Sequence, residues 1–249
     1  MLLLFPPNAV LTSDWLKEQG YSLSLMQKYI NTGWFERIGE GAFKRKGATV
    51  GIMGGLWALS QNITTYSSIR IGGRSALELQ GFGHNVTMTS RPIFLFCARK
   101  QIIPKWFTKV VKDQKFTVIR TSCFKNIDYH KQDIQDIEVP ISSPEQAILE
   151  ACYLAPEWQD LEELSHLMAS LTSLRPSVVQ DLLEQCTSVK TKRLFLFLAR
   201  KYNHAWFENL DERKINLGQG RRYLVHGKLD QHYQITLPRE WFDAQYTPF

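Results

Sequence analysis

The chain has 249 residues, of which 44% are hydrophobic and 22% charged. That is enough apolar material for one large domain or two smaller ones, and it excludes a disordered chain. The formal net charge of +6 admits an anionic partner without requiring one.

The charge is segregated. Residues 70–131 carry twelve Lys and Arg against three acids, and residues 132–165 carry nine acids and no Lys or Arg. Such blocks fit binding faces, or a solvated surface that happens to be segregated. The opening MLLLFPP is too short for a signal peptide, and the later apolar run GIMGGLWAL is too short to span a bilayer. A soluble cytoplasmic protein with no membrane partner is expected.

In chain order, Thr12 or Ser13 is placed to cap a helix over residues 14–19, with Gly20 to end it. Ser22 is placed to cap a second helix running to about Asn31. Residues 34–38 and 42–45 then predict a compact hairpin turning at Gly39-Glu40-Gly41. It reads as basic-tipped, with Arg37, Lys44, Arg45 and Lys46. Residues 51–60 look helical despite their glycines, and Gly72-Gly73 precedes a helical stretch over 75–80. Residues 93–97 and 116–119 read as buried strands, with a third at 137–139. Ser143-Pro144-Glu145-Gln146 has capping-box spacing ahead of a helix, and more helices are predicted over 161–171, 176–186 and 189–202. The chain closes in strand-like pieces at 223–226 and 233–237 with a turn at Gly227. Mixed α/β texture followed by mainly helical texture predicts an α+β fold.

On the second helix, Ser24, Gln27, Lys28 and Asn31 fall at i, i+3, i+4 and i+7, opposite Met26, Tyr29 and Ile30. Short, amide-bearing and cationic side chains are the types that meet base edges and phosphates in a major groove. The link Gly20-Tyr21-Ser22 has the length of a helix-turn-helix connection. A basic hairpin beside such a helix fits the wing of a winged helix, lying along the phosphate backbone while the helix reads sequence. Ser22, Ser24, Gln27, Lys28, Asn31, Arg37, Lys44, Arg45 and Lys46 are the DNA-binding candidates. The competing reading is a small α/β lobe docked on the rest of the chain.

Arg70, Gly72, Gly73 and Arg74 precede a predicted helix start, where N–H groups and two guanidinium groups could hold a phosphate; the plainer reading is two glycines that cap the helix. Lys190, Arg193, Arg200 and Lys201 fall within about a third of the circumference of the last helix. They read as a stripe for nucleic acid or an acidic partner, or as a solvated face. The four cysteines, Cys97, Cys123, Cys152 and Cys186, form no C-x-x-C pair and read as buried free thiols. No histidine pattern holds a metal, and no nucleophile elbow or phosphate loop occurs. No cofactor, no metal and no catalytic residue are expected.

LTSDWLKEQGYSLSLMQKYINTGWFERIGEGAFKR, GGRSALELQGFGH, SPEQAILEACYLAPE and LRPSVVQDLLEQCTSVKTKRLFLFLARKYNHAWFENLD, in this order, together resemble the AbiEi antitoxins of bacterial abortive-infection, type IV toxin–antitoxin systems. The resemblance covers nearly the whole chain. It implies an N-terminal winged helix that binds inverted repeats in its own promoter as a repressor, as a dimer or two heads on the site. It also implies a C-terminal domain that counteracts a nucleotidyltransferase-like toxin with or without a stable complex; the texture read along the chain makes that domain mixed α/β and helix-rich in its second half. The expected division is a DNA-binding region over 1–92, with the reading head in 1–48, and an antitoxin domain over 93–249. The resemblance also implies a further helix ahead of Pro6-Pro7-Asn8, whereas this chain starts at Met1; weaker support for the reading head is expected. Two other readings compete: a protein-interaction module that sequesters the toxin without significant DNA binding, and a nucleic-acid enzyme using the basic middle as a channel.

Overall fold

The computed structural model describes residues 5–83 and 91–242, so Met1-Leu2-Leu3-Leu4 lies outside the described residues. The fold is α+β, in two compact units. Of the described residues, the first unit holds 5–71, 91–120 and 130–141, and the second holds 72–83, 121–129 and 142–242.

The first unit begins with β1 (Leu11–Thr12). Thr12 caps α1 (Ser13–Glu18) by accepting from the Trp15 N–H. Gly20 ends the turn at φ +80°, in the left-handed region that favours glycine. Ser22 caps α2 (Leu23–Asn31) by accepting from the Leu25 N–H. The hairpin follows as β2 (Phe35–Gly39) and β3 (Ala42–Arg45). The sheet order is β1-β3-β2, with Leu11 opposite Phe43 and Thr12 opposite Ala42. A strand ahead of the helix pair, laid on the returning hairpin strand, is the topology of a winged helix-turn-helix.

This head is built on aromatic contacts. Trp15, Leu16, Met26, Phe35 and Phe43 are buried, together with Leu56 and Trp57 of α3 (Ile52–Ser60). Phe5 stands edge-on to Trp15 at 5.9 Å, Trp15 to Trp57 at 5.4 Å and Tyr29 to Phe35 at 6.0 Å. The glycines of α3 mark close approaches: a Cβ on Gly54 would lie 1.9 Å from the Asn8 carbonyl oxygen.

The chain continues through α4 (Ile63–Tyr66), β4 (Arg70–Ile71), α5 (Gly73–Leu79), β5 (Ile93–Ala98), α6 (Lys105–Val110), β6 (Phe116–Thr121), β7 (Tyr129–Asp133) and β8 (Glu138–Ser142). The five strands form a sheet in the order β6-β5-β4-β8-β7. Within it β4 runs antiparallel to β5, with Arg70 opposite Phe96, and parallel to β8, with Ile71 opposite Ile141. The buried run Phe94–Cys97 makes β5 the most apolar strand.

The second unit packs around α7 (Pro144–Leu154), against which α5, α8 (Leu161–Ser170), α9 (Pro176–Gln185) and α10 (Val189–Lys201) are laid. Ser143 caps α7 by accepting from the Gln146 N–H. The other half of the capping box is not made. The Gln146 side chain donates to Glu150, and the Ser143 N–H goes to the Asp128 carbonyl.

The C-terminal sheet differs from expectation. Its strands are β9 (Arg222–Tyr223), β10 (Lys228–Asp230) and β11 (Ile235–Leu237), with β11 central, parallel to β9 and antiparallel to β10. Gly227 does not turn the chain from 223–226 into 233–237. It sits where a Cβ would lie 1.9 Å from the Leu237 carbonyl oxygen, so the backbone passes close to β11 and then enters β10.

Candidate nucleic-acid interface

Met26 anchors α2 in the core at 1% exposure. Ser22, Ser24, Gln27, Lys28 and Asn31 are all exposed, so the structure brings these five candidates to the surface together. They are linked to one another. Ser22 and Ser24 share a hydroxyl hydrogen bond of 2.9 Å, and the Gln27 amide donates to Asn31 Oδ1 at 2.9 Å. The second pair spans one helical turn and holds both amides in line, each with hydrogen-bonding capacity to spare. At the helix end, the Thr32 hydroxyl donates to the Lys28 carbonyl at 2.9 Å.

The hairpin is arranged differently from a basic-tipped wing. Its turn packs against α6: a Cβ on Gly39 would lie 2.7 Å from Trp106 Cβ. The Lys44-Arg45-Lys46 cluster sits at the opposite, open end of the hairpin, where Lys46 N–H bonds the Trp34 carbonyl. Two of its cations are engaged internally. Lys44 Nζ pairs with Glu36 at 2.8 Å and donates to the Ala48 carbonyl at 2.8 Å. Arg45 lies over the Phe5 ring at 4.7 Å and donates to the Phe5 carbonyl at 3.2 Å. Arg37 and Lys46 are exposed; the Arg37 guanidinium lies 5.3 Å from the centre of the Phe43 ring. Lys46 Nζ lies 3.4 Å from where a Gly33 Cβ would stand, beside the end of α2.

Trp34 is the first residue of the predicted hairpin. It joins α2 to β2 and is 55% exposed, next to Phe35 at 2%. Strand alternation carries that signal, because an inward Phe35 turns Trp34 outward.

The phosphate reading of Arg70, Gly72, Gly73 and Arg74 is overturned. Arg70 and Arg74 are 2% and 5% exposed. Arg70 lies over the Phe96 ring and donates to the Ser68 carbonyl at 2.9 Å, and Arg74 meets Glu78 at 3.4 Å. The Gly73 N–H is taken by a carboxylate of the chain itself, Glu150 Oε2, at 2.9 Å. The same carboxylate accepts from Ser142 Oγ at 2.9 Å and Gln146 Nε2 at 3.1 Å. Glu150 therefore occupies the position a phosphate would need.

Three of the four cations of the α10 stripe are engaged within the chain. Arg193 is 3% exposed and donates to the carbonyls of Leu217, Gly218, Gly220 and Gln234. Lys190 Nζ donates to the carbonyls of Tyr153 and Ala155, and Lys201 Nζ donates to that of Trp241 at 3.0 Å. Burial pulls all three below their ordinary basic pKa. These cations hold segments of the second unit around the helix. Arg200 alone of the four is exposed.

All four cysteines are buried and free. Among the described residues no His, Cys, Asp and Glu cluster is placed to hold a metal, and no helix is long and apolar enough to cross a membrane.

Two family models match the chain. One, described as a transcriptional regulator, AbiEi antitoxin of a type IV toxin–antitoxin system, matches residues 90–238. The other, described as the N-terminal domain of the AbiEi antitoxin transcriptional regulator, matches residues 2–88. No curated protein matches by sequence. The crystal structure of the Rv2827c protein from Mycobacterium tuberculosis is similar with a TM-score of 0.57 at 13% identity, over 91% of this chain and 85% of that one. At that identity the likeness shows the fold alone.

Proposed function

Because the chain belongs to the AbiEi antitoxin family, transcriptional regulators of type IV toxin–antitoxin systems, we propose that it represses its own operon and counteracts a nucleotidyltransferase-like toxin. Residues 1–92 would carry DNA binding and residues 93–249 the antitoxin activity. Two heads would meet the two halves of an inverted repeat, as a two-fold operator requires.

The observation that carries this reading is the exposed polar face of α2, opposite a buried Met26. Gln27 and Asn31 present amides to base edges, and Lys28 and the serines meet phosphates at the groove margin. Arg37 and Lys46 contact the neighbouring backbone. Lys44 and Arg45 support the hairpin instead of gripping DNA, since their charges are already engaged.

Expression of the chain should silence a reporter driven by its own promoter and restore growth to cells making the toxin encoded beside it. Gln27→Ala with Asn31→Ala should release the reporter and leave growth rescue intact. Retained silencing in that double variant would remove α2 as the reading element.

A further inference from the structure

Cys123 and Cys186 are 63 positions apart in sequence, yet their sulfurs lie 3.3 Å apart and share a thiol hydrogen bond. They are 5% and 2% exposed. The backbone is already aligned between them, because the Thr187 N–H donates to the Cys123 carbonyl at 3.0 Å. Cys123 sits in the irregular segment between β6 and β7, and Cys186 ends α9 before the turn into α10. Neither residue therefore lies inside a helix or a strand. The sulfurs need to close by roughly 1.3 Å to reach the S–S bond length of about 2.05 Å.

We propose that Cys123 and Cys186 are a redox modification site that closes to a reversible disulfide when the protein meets a peroxide. The two sulfurs differ in character. A hydrogen bond from Cys186 draws the Cys123 thiol down against the opposing effect of burial. That bond and burial push Cys186 up. Cys123 is then the attacking thiolate and Cys186 the resolving thiol. Burial pushes the thiols of Cys97 and Cys152 up, which leaves Cys123 the thiol most readily ionised.

The chemistry balances in two steps. The Cys123 thiolate attacks one peroxide oxygen; an S–O bond forms, the O–O bond breaks, and the leaving hydroxide takes a proton to become water. The Cys186 thiol then gives up its proton, and its sulfur attacks the sulfenic sulfur. The S–S bond forms, the S–O bond breaks, and hydroxide leaves as a second water with that proton. Two thiols are oxidised and one peroxide is reduced, and a dithiol reductant reverses the result by exchange.

The test uses the full chain and hydrogen peroxide. Cys152 and Cys186 share a tryptic peptide, so cleavage at glutamate is added to separate them. Non-reducing peptide mapping should link Cys123 to Cys186, and two of the four thiols should disappear and return with dithiothreitol. The unfolding midpoint should rise by several degrees on oxidation, because the bridge closes a long loop. In Cys186→Ser, Cys123 should stop at the sulfenic acid and be trapped by dimedone. Four thiols still titratable after peroxide, or a linkage to Cys97, Cys152 or a second chain, would overturn the proposal.

Discussion

Removing the Glu150 carboxylate should cost more stability than any surface change, and the structure sets the size of the loss. Glu150 is fully buried and accepts from the Gly73 N–H, the Ser142 hydroxyl and the Gln146 amide. Leaving a buried donor without its partner costs about 1–3 kcal/mol, and Ala leaves all three donors without this acceptor. Allowing for partial repacking, Glu150→Ala should lose about 4 kcal/mol, a large share of a stability of ~5–15 kcal/mol. For a chain of this length that lowers the melting midpoint by about 10 °C. Differential scanning calorimetry reads it directly, in the transition of the second unit. A fall of less than about 3 °C would refute the idea that this carboxylate organises the start of α5 and the first turns of α7.

The hairpin cations should separate into two kinds. Arg45→Ala removes a bond to the Phe5 carbonyl and the contact with its ring, and should destabilise by about 2 kcal/mol in urea denaturation. Lys46→Ala should leave stability within about 0.5 kcal/mol and flatten the salt dependence of DNA affinity by about 0.9 in log–log slope. Gly39→Ala drives a methyl group to 2.7 Å from Trp106 Cβ, and should cost about 2 kcal/mol by the same measurement. Burial raises the Glu145 carboxyl, but the bonds from Arg175 outweigh it and hold it below the usual carboxylate range. A carboxyl depressed in the folded state stabilises above its unfolded value of about 4.3. That contribution fades as pH falls through the lower folded value. Stability curves of wild type and Arg175→Ala should therefore be separated at pH 7 and converge below about pH 4.

The parts of this account legible in the sequence are those with a local cause. Thr12, Ser22 and Ser143 cap their helices where the capping rules put them. The i, i+3, i+4, i+7 spacing from Ser24 to Asn31 needed only the helical period to define one exposed face. What failed depended on groups far along the chain. Nothing near Gly73 announces that a carboxylate 77 positions away will bond its N–H. Nothing near Arg193 announces that carbonyls between Leu217 and Gln234 will surround it. In each case a hydrogen-bond donor that reads as available from spacing is consumed by an acceptor arriving from elsewhere in the chain. Strand β7, Tyr-His-Lys-Gln-Asp, was invisible for another reason: it is an edge strand, largely exposed, with no apolar alternation to mark it.

The most direct test of the central claim is a binding titration on the chain's own promoter repeat and on a scrambled duplex of equal length. It compares wild type with Gln27→Ala/Asn31→Ala at one salt concentration. With each well-placed amide worth about 1–3 kcal/mol of base discrimination, the preference for the repeat should drop roughly 100-fold, with affinity for the scrambled duplex nearly unchanged. An undiminished preference in the double variant would contradict the assignment of α2 as the element that reads DNA.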